Sequence, residues 1–413
     1  MNLTFSKAFC WLLLIPIVLM VGCSPPAKNS TLRNFPGILT LESSPEIGAE
    51  SISLTLDPKK QPVAVWTEKA MDSNQIQVLY SRWNGQELSD PQTVPMSETP
   101  KVGSESIPKM IFKPDGDLLL FYEVKIHNPT NDRVSQIKYM VSKDDGKTWF
   151  GPFRVHSDNS PDKGHSFFDI ALLSDGEIGA VWLDTALIEG GRSVLFSKTD
   201  IQNKFGNESV VDSLACQCCR TALYADASGL ISVVYRDILP GSIRDISLAT
   251  SLNGGASFST AISFSFDQWN LDGCPHNGPD VVSDGERIYT TWYTGANQNG
   301  VYFAELNTKG KTINKERLSP NGRNIQLSLI QGKPVVIYSE SVSENGEKNS
   351  RILSKDMTTG EIIQLSAPGS KVNSPVSLAT DSGMVISGWL DHSGKIQKAR
   401  VTFLSPVSTD TLH

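Results

Sequence analysis

The chain has 413 residues, of which 20% are charged, and it carries a formal net charge of −7 at pH 7. This mildly acidic balance, without any run of basic residues, argues against nucleic-acid binding and against electrostatic attachment to a membrane surface. A single globular core is seldom this large, so the length favours several domains or an array of repeated units that bury their faces against each other.

The first residues have the pattern of an export signal. An apolar run at 11–21 is too short to span a bilayer comfortably, and Cys23 and Ser24 follow it. The segment resembles a bacterial lipoprotein signal, which implies cleavage after residues 1–22, lipidation of Cys23 and a lipidated tether over 23–36. A plain secretory signal and an uncleaved anchor are the alternatives. The resemblance implies a cell-envelope protein, lipid-anchored to a bacterial membrane (the outer membrane if the cell has two) and facing the periplasm or the exterior.

A strand that ends in an aromatic residue, any residue and usually an acid recurs seven times along the chain. The seven triplets lie at 66–68, 121–123, 182–184, 235–237, 292–294, 338–340 and 389–391. A repeat of about fifty residues that reads as strands throughout predicts a β-propeller. We therefore predict an all-β propeller of seven four-stranded blades, with six blades and an irregular module as the alternative.

Four strands are predicted in the first blade, because β-branched residues fill these stretches and Gly, Asn, Asp and Pro separate them. They lie at 51–57, 63–68, 76–81 and 91–94. The pattern recurs in six further units, at 107–155, 167–211, 220–264, 278–318, 324–365 and 374–403. The last unit lacks an outer strand, and we predict that residues 37–43 supply it and close the ring. The propeller then covers 37–404, and a short tail follows at 405–413.

One turn matches a known motif residue for residue. Residues 142–149 read Ser-x-Asp-x-Gly-x-Thr-Trp, the Asp-box, and 251–258 form a softened second copy. The aspartate caps backbone N–H groups of the turn, the glycine adopts a positive φ, and the tryptophan packs between strands. On these motifs the chain resembles the sialidase-like, Asp-box (BNR-repeat) β-propeller superfamily over nearly its whole mature length. In that superfamily the Asp-box lies on the face away from the active site, which implies a scaffold role here.

Acids end the triplets of six blades, and these acids are Glu68, Glu123, Asp184, Asp237, Glu340 and Asp391. A catalytic acid is not expected in every blade. Their predicted role is therefore to accept hydrogen bonds from the backbone of the loops.

Residues that occur in only one or two blades indicate the functional face. Two kinds of loop open on one face of the propeller, here called the top face. They are the loops that lead into the inner strands and the loops between the second and third strands of each blade. Cys216, Cys218 and Cys219 precede the fourth blade, and Cys274 and His276 precede the fifth. Because these loops correspond in neighbouring blades, we expect their side chains to meet.

Two kinds of chemistry fit this set of residues. Export to an oxidising compartment, together with the even number of these cysteines, favours two disulfides among the four. Alternatively, thiolates and an imidazole form a metal or redox site suited to copper(I) or zinc. A mixed case has one disulfide, with cysteine and His276 as ligands.

Three arginines lie on the top side of the fourth blade, namely Arg220, Arg236 and Arg244, with Asp237 and Tyr293 nearby. The resemblance to sialidases implies arginines that bind a substrate carboxylate, a tyrosine nucleophile and an aspartate acid/base. The alternative is that Arg236 with Asp237, and Arg244 with Asp245, form ion pairs across a strand connection. The Arg-Ile-Pro-type segment of that family is missing, which argues against true sialidase activity.

These observations leave three functions open. The first is a sialidase-like surface lipoprotein of the exo-α-sialidase (neuraminidase) superfamily that acts on or binds acidic glycans; as an enzyme it would be a glycoside hydrolase of sialidase type. The second is a non-hydrolytic propeller with a Cys/His metal or redox site that holds copper or zinc. The third is an interaction scaffold. In each case we expect a monomer that contacts a membrane only through its lipid anchor.

Overall fold

The computed structural model describes residues 32–69, 75–129, 134–344 and 346–406, and in these ranges the chain forms 28 strands and no helix. The strands assemble into seven sheets of four antiparallel strands each. The predicted all-β, seven-bladed propeller is therefore confirmed, and the six-bladed alternative is wrong. No helix able to cross a membrane occurs in the described ranges. The predicted signal and Cys23 lie outside them.

The blades follow one another in chain order. Their strands are β1 (Leu32–Leu41), β2 (Gly48–Leu56), β3 (Pro62–Lys69), β4 (Ile76–Arg82), β5 (Gln92–Thr93), β6 (Lys109–Phe112), β7 (Leu118–Lys125), β8 (Ser135–Ser142), β9 (Phe150–Arg154), β10 (Ser166–Leu172), β11 (Ile178–Asp184), β12 (Arg192–Lys198), β13 (Ser209–Ala215), β14 (Ala222–Ala225), β15 (Ile231–Arg236), β16 (Ile246–Ser251), β17 (Ile262–Ser263), β18 (Asp280–Ser283), β19 (Arg287–Thr294), β20 (Gly300–Asn307), β21 (Thr312–Ser319), β22 (Gly322–Ile330), β23 (Lys333–Glu344), β24 (Glu347–Asp356), β25 (Ile362–Gln364), β26 (Val372–Ala379), β27 (Val385–Asp391) and β28 (Lys398–Pro406). Strands β2–β5, β6–β9, β10–β13, β14–β17, β18–β21 and β22–β25 form blades 1 to 6, and blade 7 consists of β26–β28 with β1.

The ring is closed by the first strand of the described chain. Strand β1 pairs antiparallel with β28, with Leu39 opposite Val401. It begins at Leu32, ahead of the predicted stretch, and it supplies the outer strand of blade 7 as predicted. Trp83 of blade 1 stacks on Phe403 of blade 7 with ring centroids 4.1 Å apart. The two ends of the described chain therefore meet without leaving an open sheet edge.

Each second strand is buried on both faces because it lies between two neighbouring blades. In β11 of blade 3, Trp182 packs in one core cluster with Phe121 of blade 2. The next residue, Leu183, packs in another cluster with Tyr235 of blade 4. Successive side chains point to opposite faces of a strand, so both sets of positions must be apolar. This explains the continuous apolar runs that precede the acids of the triplets.

The acids of the triplets bind donors at the top of their blades. Glu68 accepts the backbone N–H of Ser43 at 2.7 Å and the indole N–H of Trp66 at 2.9 Å. The indole of Trp182 donates in the same way to Asp184 at 2.7 Å. Loop N–H groups also donate to Asp184, Asp237 and Asp391, and the N–H of Phe167, at the start of β10, donates to Glu123. For these acids the predicted hydrogen bonds to the backbone are confirmed. Glu340 differs, because it accepts from the side chains of Ser319 and Arg351.

The Asp-box forms the expected turn between β8 and β9. Asp144 accepts the N–H of Thr148 at 2.8 Å and its hydroxyl at 2.6 Å. Gly146 has a φ of 88° and donates its N–H to Ser142 Oγ at 2.8 Å. Trp149 packs against the core between blades 1 and 2. Since this turn joins the third and fourth strands, it lies on the face opposite the top face and has a scaffold role.

A buried ion pair at the axis joins four blades. Strands from all seven blades line a central cavity, and Glu105 and Arg220 are part of its lining. Glu105, from the loop that enters blade 2, accepts the N–H of Arg220 at 2.8 Å and that of Gly278 at 3.1 Å. Arg220 Nη1 lies 3.2 Å from Glu105 Oε1, and its Nη2 donates to the carbonyl of Ile325 at 3.1 Å. The pair thus ties the entry of blade 2 to those of blades 4, 5 and 6.

The close approach at the axis requires a glycine. A Cβ atom on Gly278 would lie 2.4 Å from the carbonyl oxygen of Arg220, which is too close for any side chain. Burial raises the pKa of Glu105, and the Arg220 guanidinium opposes that rise. The charge of Glu105 therefore depends on the presence of its partner.

We predict that Glu105→Ala lowers the free energy of unfolding by about 3–5 kcal/mol, because it leaves the Arg220 guanidinium buried without a counter-charge. Urea denaturation followed by tryptophan fluorescence measures the change. The control is Lys198→Ala, which removes the exposed Lys198–Asp175 pair and is expected to cost about 0–1 kcal/mol. Equal losses in the two variants would contradict a special role for the axial pair.

Candidate functional site

Three buried thiols meet in the loop between β13 and β14. Cys216 follows the end of β13, and its N–H donates to the carbonyl of Arg236 at 2.9 Å, which fixes the loop on blade 4. The Sγ atoms of Cys216, Cys218 and Cys219 all lie within 4.8 Å of one another, and those of Cys216 and Cys218 are 4.0 Å apart. Sulfur atoms in a disulfide lie about 2.05 Å apart. The cysteines in the described part of the chain are free thiols.

The loop that enters blade 5 completes the group. Cys218 Sγ, Cys274 Sγ and a ring nitrogen of His276 also lie within 4.8 Å of one another. Cys274 and His276 are exposed, whereas Cys218 is buried. Corresponding loops of neighbouring blades therefore bring these residues together. The set Cys216, Cys218, Cys219, Cys274 and His276 is called the Cys/His cluster below.

The electrostatic surroundings favour one thiolate among the buried thiols. Hydrogen bonds from the thiols of Cys218 and Cys219 lower the pKa of Cys216, and the nearby Arg236 guanidinium lowers it further. The hydrogen bond between Cys218 and Cys216 raises the pKa of Cys218, and burial raises the pKa of Cys219. Cys216 is thus the thiol that most readily loses its proton, and the thiolate is the form that binds metals.

Arg236 holds together the loops that carry the Cys/His cluster. It is almost completely buried, and its guanidinium donates to three backbone carbonyls, those of Arg244 (2.8 Å), Asn277 (3.1 Å) and Tyr293 (2.7 Å). Its Cζ atom also lies 4.9 Å from the centre of the Trp269 ring, a cation–π contact. Asn277 belongs to the loop that carries the exposed half of the cluster. This guanidinium therefore supports the loops, and its hydrogen bonds are made within the protein.

The other two predicted arginines contact different parts of the molecule. Arg220 binds Glu105 at the axis. Arg244 is half-buried, and its Nε donates to the carbonyl of Leu271 at 3.3 Å. Arg236 and Arg244 are thus linked through the main chain, while the guanidinium of Arg220 is engaged in the axial ion pair.

Asp237 is buried and bonded within blade 4. One carboxylate oxygen accepts the N–H of Ile238 at 2.7 Å, and the other accepts the hydroxyl of Ser247 at 2.6 Å. Burial raises the pKa of Asp237 to about 6, and the neighbouring carboxylates of Asp212 and Asp245 contribute to that rise. This pKa would suit a catalytic acid/base, but both carboxylate oxygens of Asp237 already have hydrogen-bond partners in the blade.

Tyr293 lies beside two residues that the sequence did not single out. Its ring is nearly perpendicular to that of Trp269, with centroids 5.8 Å apart. Arg323 Cζ lies 3.9 Å from the centre of the Tyr293 ring. Arg323 donates to the carbonyl of Gly322 at 2.8 Å, and in the described part of the chain it forms no salt bridge. The signal for Arg323 was its place at the top end of the inner strand of blade 6.

His165, in the loop that enters blade 3, belongs to a separate buried pair. Its Nδ1 lies 2.8 Å from Asp184 Oδ2, and its ring stacks on His156 at 3.6 Å between centroids. His156 Nε2 accepts the N–H of Ile137 at 3.3 Å, so its Nδ1 carries a proton and donates it to the carbonyl of Asp158. Burial, followed by the effect of His165, lowers the pKa of His156 to about 4. Neither histidine belongs to the ligand groups found among the described residues.

Comparison with models of protein families matches residues 61–274 to the BNR repeat-like domain. The chain belongs to this family. The matched range extends from blade 1 to Cys274, so it includes the loop with the three buried thiols. A comparison with curated protein sequences finds no match.

Solved structures share the propeller at low sequence identity. A protein of unknown function from Dyadobacter fermentans aligns with a TM-score of 0.55 and 12% identity, over 91% of this chain and 99% of its own. The polysaccharide lyase Uly1 aligns with a TM-score of 0.54 and 10% identity, over 90% and 92%. An intramolecular trans-sialidase from Ruminococcus gnavus, in complex with oseltamivir carboxylate, has a TM-score of 0.45 and 11% identity, over 85% and 94%. The first two likenesses show the fold alone.

In this BNR-repeat propeller the Cys/His cluster offers four sulfurs and one imidazole at the junction of blades 4 and 5. Its buried half lies beside a guanidinium, and its exposed half faces solvent. Such a site has the donors for a soft metal ion, and its thiolates are also suited to redox chemistry.

Proposed function

We propose that this BNR-repeat propeller binds a soft metal ion, copper(I) or zinc(II), through the Cys/His cluster on its top face. The observation that carries the proposal is the convergence of five ligand-bearing residues from two neighbouring loops, in two groups whose atoms lie within 4.8 Å of one another. Ligand atoms bound to one ion at about 2.0–2.3 Å lie at most about 4.6 Å apart. Small movements of the side chains therefore suffice for coordination.

The chemistry of the surroundings supports the same proposal. Thiolates and imidazole are ligands that copper(I) and zinc prefer, and a thiol must lose its proton to bind them. The Arg236 guanidinium and the hydrogen bonds at Cys216 reduce the cost of that step. Packing of Phe167 against the buried sulfurs limits their movement. The ligands are thus partly preorganised before any ion arrives.

We expect Cys218→Ser to lower metal affinity by at least about tenfold, because Cys218 belongs to both ligand groups. The protein is purified without its first 23 residues, reduced, and loaded with copper(I) or zinc in the absence of oxygen. Thiol titration and elemental analysis then give the free thiols and the bound metal.

The matched control for this experiment is Gln217→Ala. Gln217 lies between two of the cysteines, is exposed, and donates a side-chain hydrogen bond to the carbonyl of Gly190 at 3.3 Å. This variant should bind metal as the wild type does. If the protein has no titratable thiol after mild reduction and takes up no metal, the cysteines are disulfides and the proposal is wrong.

A second candidate function is the binding of an acidic glycan. The observation that favours it is the row of Trp269, Tyr293 and Arg323 on the top face, in which the Arg323 guanidinium has no carboxylate partner among the described residues. An arginine fork binds a carboxylate in two places at once, and an adjacent aromatic ring offers a surface for a sugar. Hydrolysis is not part of this proposal, since Asp237 is buried and its oxygens are bonded.

For the glycan candidate, Arg323→Lys is expected to weaken the binding of sialic acid or a uronic acid by about tenfold, because an ammonium cannot form the two parallel hydrogen bonds. Calorimetric titration measures the affinity. Arg317→Ala, which removes an exposed arginine bonded to the carbonyl of Asn299, serves as the control and should bind as the wild type does. Absence of binding to any acidic sugar would exclude the candidate.

We further propose that the propeller is a monomeric protein of the bacterial cell envelope, attached through a lipid on Cys23. The support is the sequence pattern around that residue, with an apolar run before it and Ser24 after it. Mass spectrometry should therefore find an acyl group on residue 23 of the mature wild-type chain, and Cys23→Ala should lack it. A mature wild-type chain whose mass lacks any acyl group would contradict the lipid anchor.

A further inference from the structure

The ligands of the Cys/His cluster divide into two groups that share one atom. Cys216, Cys218 and Cys219 form the inner group, which is buried, and Cys218 forms the outer group with the exposed residues Cys274 and His276. The three ligand atoms of each group lie within 4.8 Å of one another. The five ligand atoms taken together do not all lie within that distance of one another. Since the ligands of one ion lie at most about 4.6 Å apart, one ion cannot reach all five.

We infer, on the basis of the metal-binding function proposed above, that the cluster holds two copper(I) ions that share the sulfur of Cys218. One ion lies in the inner group and the other in the outer group. Each ion then has three protein ligands, and the thiolate of Cys218 bridges them.

The spacing of the sulfurs fits a three-coordinate ion. An ion at the centre of a triangle with sides of 4.0 Å, the separation of Cys216 Sγ and Cys218 Sγ, lies about 2.3 Å from each corner. This is the usual length of a bond between a metal ion and a thiolate sulfur. The inner group therefore needs little rearrangement to enclose an ion.

The number of ligands selects copper(I) over zinc for the inner group. Zinc in structural sites almost always has four ligands, and the inner group supplies three sulfurs that are shielded from solvent. Copper(I) is a soft ion that thiolates select, and it is stable with three ligands. Four thiolates with two copper(I) ions leave an excess of negative charge, which the Arg236 guanidinium beside Cys216 partly balances.

The difference in burial gives the two ions different roles. Cys274 and His276 are exposed and meet an incoming ion first, whereas Cys216 and Cys219 are buried and share Cys218 with the exposed pair. An ion taken up by the outer group passes to the inner group by exchange of ligands around the shared sulfur, with no change in oxidation state. The second ion then stays in the outer group and is the one that a chelator removes first.

Stoichiometry tests this inference. The reduced protein without its first 23 residues is titrated with copper(I) in the absence of oxygen, against bathocuproine disulfonate as the competing chelator. The wild type and Gln217→Ala should each bind two equivalents. The double variant Cys274→Ser/His276→Ala should bind one, because both changes are exposed and leave the inner group intact. Cys218→Ser should lose both ions.

X-ray absorption at the copper edge supplies an independent signature. A copper–copper scattering shell is expected in the wild type and should vanish in the double variant, and circular dichroism establishes that the variants are folded. One equivalent in both the wild type and the double variant would overturn the two-ion inference while the metal-binding function stands. One ion retained by Cys218→Ser would rule out the shared sulfur. No copper bound by a protein with titratable thiols would overturn the inference and the proposed function together.

Discussion

A propeller keeps its shape only if its inner strands are held around a common axis, and here a buried ion pair lies at that axis. Glu105 and Arg220 connect the entries of four blades through side-chain and backbone contacts. A buried pair of charges gives little net stability, but either partner alone is very unfavourable. The top loops therefore depend on both residues, and the two loops of the Cys/His cluster end at Arg220 and Gly278, where the pair fixes them.

A second buried guanidinium extends this support outward from the axis. Arg236 binds the backbone on both sides of the loop that enters blade 5, and it lies beside the thiols of the loop that enters blade 4. A binding site on loops is usually less precise than one on strands. In this protein buried charges fix both loops near the ligands, so the ligands approach each other with little freedom. The same arginine thus supplies positive charge and holds the loops in place.

The fold could be predicted because its signals are local. The apolar runs that end in an aromatic residue and an acid, and the Asp-box at 142–149, each depend on neighbouring residues. The meeting of Cys218 with Cys274 also followed from their corresponding places in adjacent blades. The use of Arg220 could not be predicted, because its partner Glu105 lies 115 residues away in the sequence. Nor does any sequence pattern show that Arg236 donates to backbone carbonyls, which every residue carries.

The strand that closes the ring separates closure of the ring from assembly of the thiol-bearing loops as the chain folds. Thr40 of β1 and its partner Arg400 of β28 are 360 residues apart, so the closing contacts have the largest loop-closure entropy in the described part of the chain. Until they form, the blades make an open arc with an apolar face exposed at each end. The thiol-bearing loops lie in the middle of that arc, between blades that already have neighbours on both sides. The ligand cluster can therefore assemble on a partly folded chain, before the two ends have met.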